Sequence, residues 1–153
     1  MEGETLSEVL VVDSSVVVKW YVAEEFRSKA LAIRDDYLKG SFRLAAPTLI
    51  TYEVINALRY SAKNIKPSQL KEICESIARY GFDLYELKGE YAATTVDAAL
   101  QNNITIYDAC YISLASHLDT LLYTADTKLI ESLREGYVER VRHLKDYKGK
   151  EGL

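Results

Sequence analysis

Four acidic residues, each closing or following an apolar run, restrict what this chain can fold into. They are Asp13 in VLVVDSS, Glu53 in TLITYEVINAL, Asp108 in ITIYDACYISLA and Asp126 in LLYTADTKL. Charged side chains are seldom fully buried without a partner. A carboxylate beside a strand-like run therefore needs a reason, and four in such places suggest a shared one. If the strands are parallel neighbours, their carboxyl ends lie together at one edge of a sheet. Carboxylates converging there repel one another unless a cation or protons neutralise them. A divalent metal site is the simplest arrangement that satisfies the pattern.

The rest of the chain supplies strands and helices in the required alternation. Val9 to Val12 is a β-branched run ending at Asp13 and reads as a buried strand. Ser14 or Ser15 is placed to cap a helix through Val16 to Tyr21. The spacing predicts a helix over Ser28 to Leu38, stopped at Gly40, and a strand over Arg43 to Ala46, stopped by Pro47. Thr48 then opens a helix from Leu49 to Ala62, and Pro67 begins another with Leu70, Ile73, Cys74, Ile77 and Ala78 on one face. Gly81 ends it. Phe82 to Leu87 reads as a third strand, Glu90 to Gln101 as a helix stopped by Asn102 or Asn103. Asp108 opens a helix through His117 with Ala109, Ile112, Ala115 and Leu118 toward the core. Leu121 to Tyr123 is a fourth strand, Asp126 to Leu133 a helix, and Tyr137 to Leu144 holds a fifth short strand. Such alternation implies parallel strands joined by crossovers. Ligands of open parallel sheets sit at the strands' carboxyl ends.

A length of 153 residues fits one domain, expected over residues 1–148. The polar segment KDYKGKEGL from Lys145 is expected to fray, with residues 149–153 as a free tail. The apolar runs are far shorter than a membrane span, and MEGETLSEV carries no basic leader, so a cytoplasmic protein is expected. Cys74 and Cys110 lie in apolar surroundings without a CxxC neighbour and read as buried free thiols. Two histidines, His117 and His143, are too few for a His-rich site. Oxygen ligands favour Mg²⁺ or Mn²⁺. A net charge of −4 argues against capture of nucleic acid by the whole surface, though not against a local basic rim. Lys19, Arg59, Lys63 and Lys128 flank the acidic segments and are candidates for that rim, against ordinary solvated helix surface. Tyr21, Tyr52 and Tyr107 are candidates to stack on unpaired bases, with core packing the expected fate of Tyr107.

Each carboxylate also has a plain structural reading. Asp13, Asp108 and Asp126 each stand where a helix N-cap is wanted, and Glu53 lies inside a helix on the flank of an apolar face. The hydroxyl of Thr124, two residues before Asp126, is placed to orient a carboxylate or a metal-bound water.

Taken together, these segments resemble the PIN domain, and within it the VapC-type toxin ribonucleases. VVDSSVVVKW is similar to the family's opening strand with its D-x-S turn, YEVINAL to its Glu-bearing helix, YDACYISLA to its Tyr-Asp-Ala segment and TADTKL to its T-x-D segment. The resemblance implies an α/β fold with a central parallel five-stranded sheet of order 3-2-1-4-5 and helices on both faces. It implies that Asp13, Glu53, Asp108 and Asp126 surround Mg²⁺ or Mn²⁺, with Ser15 and Thr124 as supporting hydroxyls and Asn56 as a polar residue near the site. It further implies metal-dependent hydrolysis of single-stranded RNA, a homodimer, and an antitoxin protein that blocks the acidic pocket with a basic side chain. Thr124 stands where some relatives place a further acidic residue. The alternatives are a free-standing PIN nuclease in RNA maturation or decay and a non-catalytic PIN binding module. The complete acidic quartet weighs against the module, and the short chain favours the toxin over multidomain processing nucleases.

Overall fold

The structure is a computed structural model that describes residues 8–61 and 63–149. The apolar run Val9–Val12 forms strand β1. Its β-branched side chains suit a pleated, buried surface. It pairs in parallel with β2 (Arg43–Pro47) on one side and β4 (Leu122–Thr124) on the other. Strand β3 (Asp83–Tyr85) lies outside β2, and β5 (Val141–His143) outside β4. The five-stranded order is 3-2-1-4-5, as the resemblance implied. Val11 stands opposite both Ala45 and Leu122. This register brings the carboxyl ends of β1 and β4 side by side.

Helices connect the strands: α1 (Ser14–Val18), α2 (Arg27–Leu38), α3 (Ile50–Ser61), α4 (Pro67–Tyr80), α5 (Gly89–Asn102), α6 (Ile106–His117) and α7 (Thr127–Ser132). Each residue from Ala109 to Ala115 of α6 is buried. A helix that is apolar all round belongs between two layers, and α6 lies between the sheet and α5. Gly81 closes α4 and Asn103 closes α5, both in the left-handed conformation, which glycine and asparagine tolerate best.

Several expectations need correction. Helix α6 is opened by Thr105, whose hydroxyl accepts the Asp108 N–H at 3.1 Å, so Asp108 sits inside the first turn rather than at the cap. Cys110 is buried as expected, but Cys74 is exposed. Of the expected α4 face Ile77 is fully buried, Leu70 and Ile73 pack half-buried on the same core, and Ala78, like Cys74, is exposed. Cys74, one position beyond Ile73, falls on the flank of that face.

The segment after Lys145 does not fray at once. Tyr147 is 1% exposed, its hydroxyl donates to Asp36 Oδ2 at 2.5 Å, and its carbonyl accepts from Lys29 Nζ at 2.6 Å. A tyrosine ring packed edge-on against Tyr123 offers more buried apolar area than the polar sequence around it suggests. The expected helix end at Ala62 and residues 150–153 of the expected tail lie outside the described residues.

Candidate active site

Asp13 directly follows β1 and is the N-cap of α1. It is 6% exposed. Its Oδ1 accepts the Ser15 N–H at 3.1 Å and the Ser15 hydroxyl at 2.5 Å, and its Oδ2 accepts the Thr124 hydroxyl at 2.5 Å. The same two hydroxyls also accept from the backbone that follows β4. Ser15 Oγ accepts the Ala125 N–H at 2.9 Å, and Thr124 Oγ1 accepts the Asp126 N–H at 3.0 Å. Asp13 therefore caps α1 and is locked to the end of β4 at once; the capping role and a site role do not exclude each other. Burial pushes its carboxyl up to about 6, against the pull of Ser15 and Thr124, with Asp126 and Glu53 raising it further.

Glu53 enters from the first turn of α3. The Tyr111 hydroxyl donates to its Oε1 at 2.5 Å. Burial raises its proton affinity, the Tyr111 bond opposes this, and the charge of Asp108 adds to it. Asp108, half-buried, is raised by burial and then by Asp126. Asp126 is exposed, and its Oδ1 caps α7 by accepting the Leu129 N–H at 3.1 Å. The four carboxylates thus stand in a ring of neighbouring repulsions: Asp126 on Asp13 and on Asp108, Glu53 on Asp13, Asp108 on Glu53. Hydroxyls and tyrosine hold it from behind.

Among the described residues, no three His, Cys, Asp or Glu side chains are grouped closely enough to hold a metal ion by themselves. The ring is wider than a closed cage. Its donors are nevertheless all oxygens, and Mg²⁺ commonly takes only one or two carboxylates and keeps several waters. The residues fit a partly hydrated hard cation.

The other expected site residues fall in different places. Ser15 and Thr124 lie in the ring's support, as described. Asn56 is exposed one turn beyond Glu53 and lines a groove between α3 and α4. Lys19 is not open to a ligand: it is 6% exposed and paired with Glu24 at 2.9 Å. Arg59, Lys63 and Lys128 are exposed and, among the described residues, form no ion pair. The Tyr21 hydroxyl is tied to Ser76 at 2.8 Å. Tyr52 is 76% exposed, and Tyr107, expected in the core, is 61% exposed because α6 becomes enclosed only from Ala109 onward. Tyr111 was missed by the sequence reading. Its signal was its place three residues after Asp108, on the same side of one helix.

The chain is similar in sequence and in fold to known proteins. The PIN domain model matches residues 10–134. Ribonuclease VapC3 of Pyrobaculum aerophilum is 30% identical over 127 residues, covering 80% of this chain and 92% of that protein. A toxin–antitoxin complex from Klebsiella pneumoniae contains a chain that superposes with a TM-score of 0.63 at 15% identity, over 88% of this chain and 97% of that one. DNA-bound VapBC from Salmonella typhimurium gives a TM-score of 0.63 at 14% identity, over 92% and 99%. These two likenesses speak for the fold. With the family model spanning most of the sequence and the acidic segments in their order, the chain belongs to the PIN domain family, in its VapC-type toxin–antitoxin branch.

Proposed function

We propose that this protein is a divalent-metal-dependent endoribonuclease that hydrolyses phosphodiester bonds of single-stranded RNA, and that it acts as the toxin of a type II toxin–antitoxin pair. The observation that carries the proposal is the ring of Asp13, Glu53, Asp108 and Asp126 at the carboxyl edge of the sheet, in which burial and then neighbouring carboxylates raise the proton affinity of Asp13, Glu53 and Asp108. Such a ring is costly to a metal-free protein and useful to one that binds Mg²⁺ or Mn²⁺.

In this reading the four carboxylates are the metal ligands, directly or through water. A bound divalent ion would lower the pKa of a coordinated water and offset charge on the phosphate. The chain's own residues do the rest. Ser15 and Thr124 fix both oxygens of Asp13 in place. Tyr111 holds one oxygen of Glu53. Asp108 or Glu53, both with raised proton affinity, takes the proton of the attacking water. Attack in line at phosphorus breaks the bond to the 3′-oxygen and leaves a 5′-phosphate and a 3′-hydroxyl.

An antitoxin partner is supported by the relatives found as toxin–antitoxin assemblies. A basic side chain placed in the acidic ring would take over the cation's role and exclude RNA. We further propose a homodimer. Helix α5 turns Val96 and Leu100, four residues apart on one face, to solvent, with Leu100 76% exposed. Among the described residues no helix is long and apolar enough to cross a membrane, and the cytoplasm is the proposed compartment. Incubation of the purified chain with an unstructured RNA and Mn²⁺, with and without chelator, tests the reading: cleavage that chelator abolishes is expected.

A further inference from the structure

Helix α3 turns Glu53 toward the acidic ring and a separate stripe toward solvent. Tyr52, Asn56 and Arg59 follow one another at four and three residues, so they lie on one side of the helix, and all three are exposed. They form one wall of a shallow groove whose other side is Leu70 and Cys74 of α4. Tyr52 also lines a second, apolar cleft with Leu49, Ile106 and Tyr107. It is thus the ridge between two depressions, next in sequence to Glu53, while Tyr107 stands next to Asp108. At the far end of the stripe the Arg59 guanidinium lies 5.0 Å from the centroid of the Tyr60 ring, and Tyr60 is 73% exposed. Arg59 has no acidic partner among the described residues.

Resting on the ribonuclease reading, we propose that the outer face of α3 is the track along which a single RNA strand leaves the acidic ring. Tyr52 stacks on an unpaired base and Arg59 takes a phosphate. The charge argument favours a polyanion here. A chain of net charge −4 with four carboxylates at its site repels RNA, so the strand needs a cation outside the ring, and Arg59 is one that no carboxylate among the described residues neutralises. The distance fits as well. Seven residues of α-helix separate Tyr52 from Arg59 by about 10 Å, close to three stacked nucleotides at about 3.4 Å each. Aromatic rings alternating with a basic side chain are how sequence-tolerant single-strand binders grip their ligand. Asn56, between them, offers an amide to a base edge or a ribose hydroxyl.

The test uses the full chain carrying Asp108→Asn, so that RNA is bound without being cut, and a fluorescein-labelled oligouridine read by anisotropy in Mg²⁺. Adding Tyr52→Ala or Arg59→Ala is expected to weaken binding about ten-fold each. Arg59→Ala also lowers the dependence of log K on log salt by about 0.7, the loss of one phosphate contact on a single strand. Arg59→Lys keeps that slope, and Arg34→Ala, on the surface of α2, changes neither quantity. In the active background, Tyr52→Ala and Arg59→Ala raise KM more than they lower kcat. Unchanged affinity and salt slope in both variants overturn the track, and if RNA is still cut in the presence of metal the ribonuclease reading survives that result. A fall in oligomeric mass of both variants in light scattering, with RNA affinity intact, also overturns the track and makes this face a protein interface. Binding that depends on Tyr52 and Arg59 in a chain that cuts no RNA supports the track and removes the ribonuclease reading.

Discussion

The hydroxyl of Tyr111 donates to Glu53 Oε1 at 2.5 Å, and this bond joins α6 to α3 beside the acidic ring. Tyr111 is 2% exposed, so the bond is shielded from water on the tyrosine side. Burial and the Glu53 charge both push the phenol's pKa up, which keeps it a donor at every working pH. Partners that orient metal-binding carboxylates are commonly worth about 10–100-fold in metal affinity or activity. Tyr111→Phe is therefore expected to keep the fold, seen by an unchanged far-UV spectrum, while Mn²⁺ affinity falls by about ten-fold in a calorimetric titration. Equal affinities in the two proteins would mean that Glu53 needs no such support.

Asp13 makes a prediction about pH. Its carboxyl ionises at about 6 in the folded chain against 3.8 for an ordinary aspartate, chiefly because it is buried. A folded-state pKa above the unfolded one means that the folded chain holds the proton more tightly. The stability this contributes is complete below about pH 4 and is lost as pH rises through about 6. The difference corresponds to at most about 3 kcal/mol. In chelator, urea unfolding of wild type relative to Asp13→Asn should show wild type losing ground between pH 4 and 7. The raised proton affinities of Glu53 and Asp108 add in the same direction in wild type and cancel only in part in the comparison, because Asp13 and Glu53 are coupled. A flat difference across that window would contradict the assigned environment of Asp13.

Much of this was legible in the sequence, and the legible parts share a cause. Strand β1 and Asp13 stood out because four aliphatic residues followed by a carboxylate have few other uses. The strand order followed from the resemblance carried by the acidic segments. The failures are tertiary. Nothing local says that Lys19 finds Glu24, that Thr105 rather than Asp108 caps α6, or that Tyr147 in a polar segment reaches Asp36. Tyr107 and Tyr111 have the same residue type four positions apart. One faces solvent and one is buried because α6 becomes enclosed between the sheet and α5 only after its first turn. Tyr111 escaped notice because a tyrosine on an apolar helix reads as core, and it is core, with only its hydroxyl in the site.

The C-terminal anchor gives a stability prediction. Tyr147 buries its ring against Tyr123 and ties α2 to the segment after β5 through Asp36 and Lys29. Tyr147→Ala removes a fully buried aromatic side chain and is expected to cost about 3–5 kcal/mol, read as a lower urea midpoint. Tyr147→Phe keeps the ring and loses only the bond to Asp36, a loss of about 1–3 kcal/mol. A Tyr147→Ala protein as stable as wild type would show that the segment is ornamental to the fold.

Metal binding should register as stability. The ring's mutual repulsion is relieved when a cation enters, and a ligand that binds only the folded chain raises its melting temperature. Millimolar Mn²⁺ is expected to raise the Tm of wild type by several degrees and to leave that of Asp13→Asn unmoved. Equal shifts in both would place the ion elsewhere.

The most direct measurement is cleavage of an unstructured RNA by the purified chain, followed on a denaturing gel with wild type, Asp108→Asn and Asp126→Asn side by side. Cleavage by wild type in Mg²⁺ or Mn²⁺, its loss in chelator, and its loss by at least about a hundred-fold in both folded variants are the expected results. Undiminished cleavage in the two variants would contradict a mechanism built on the acidic ring.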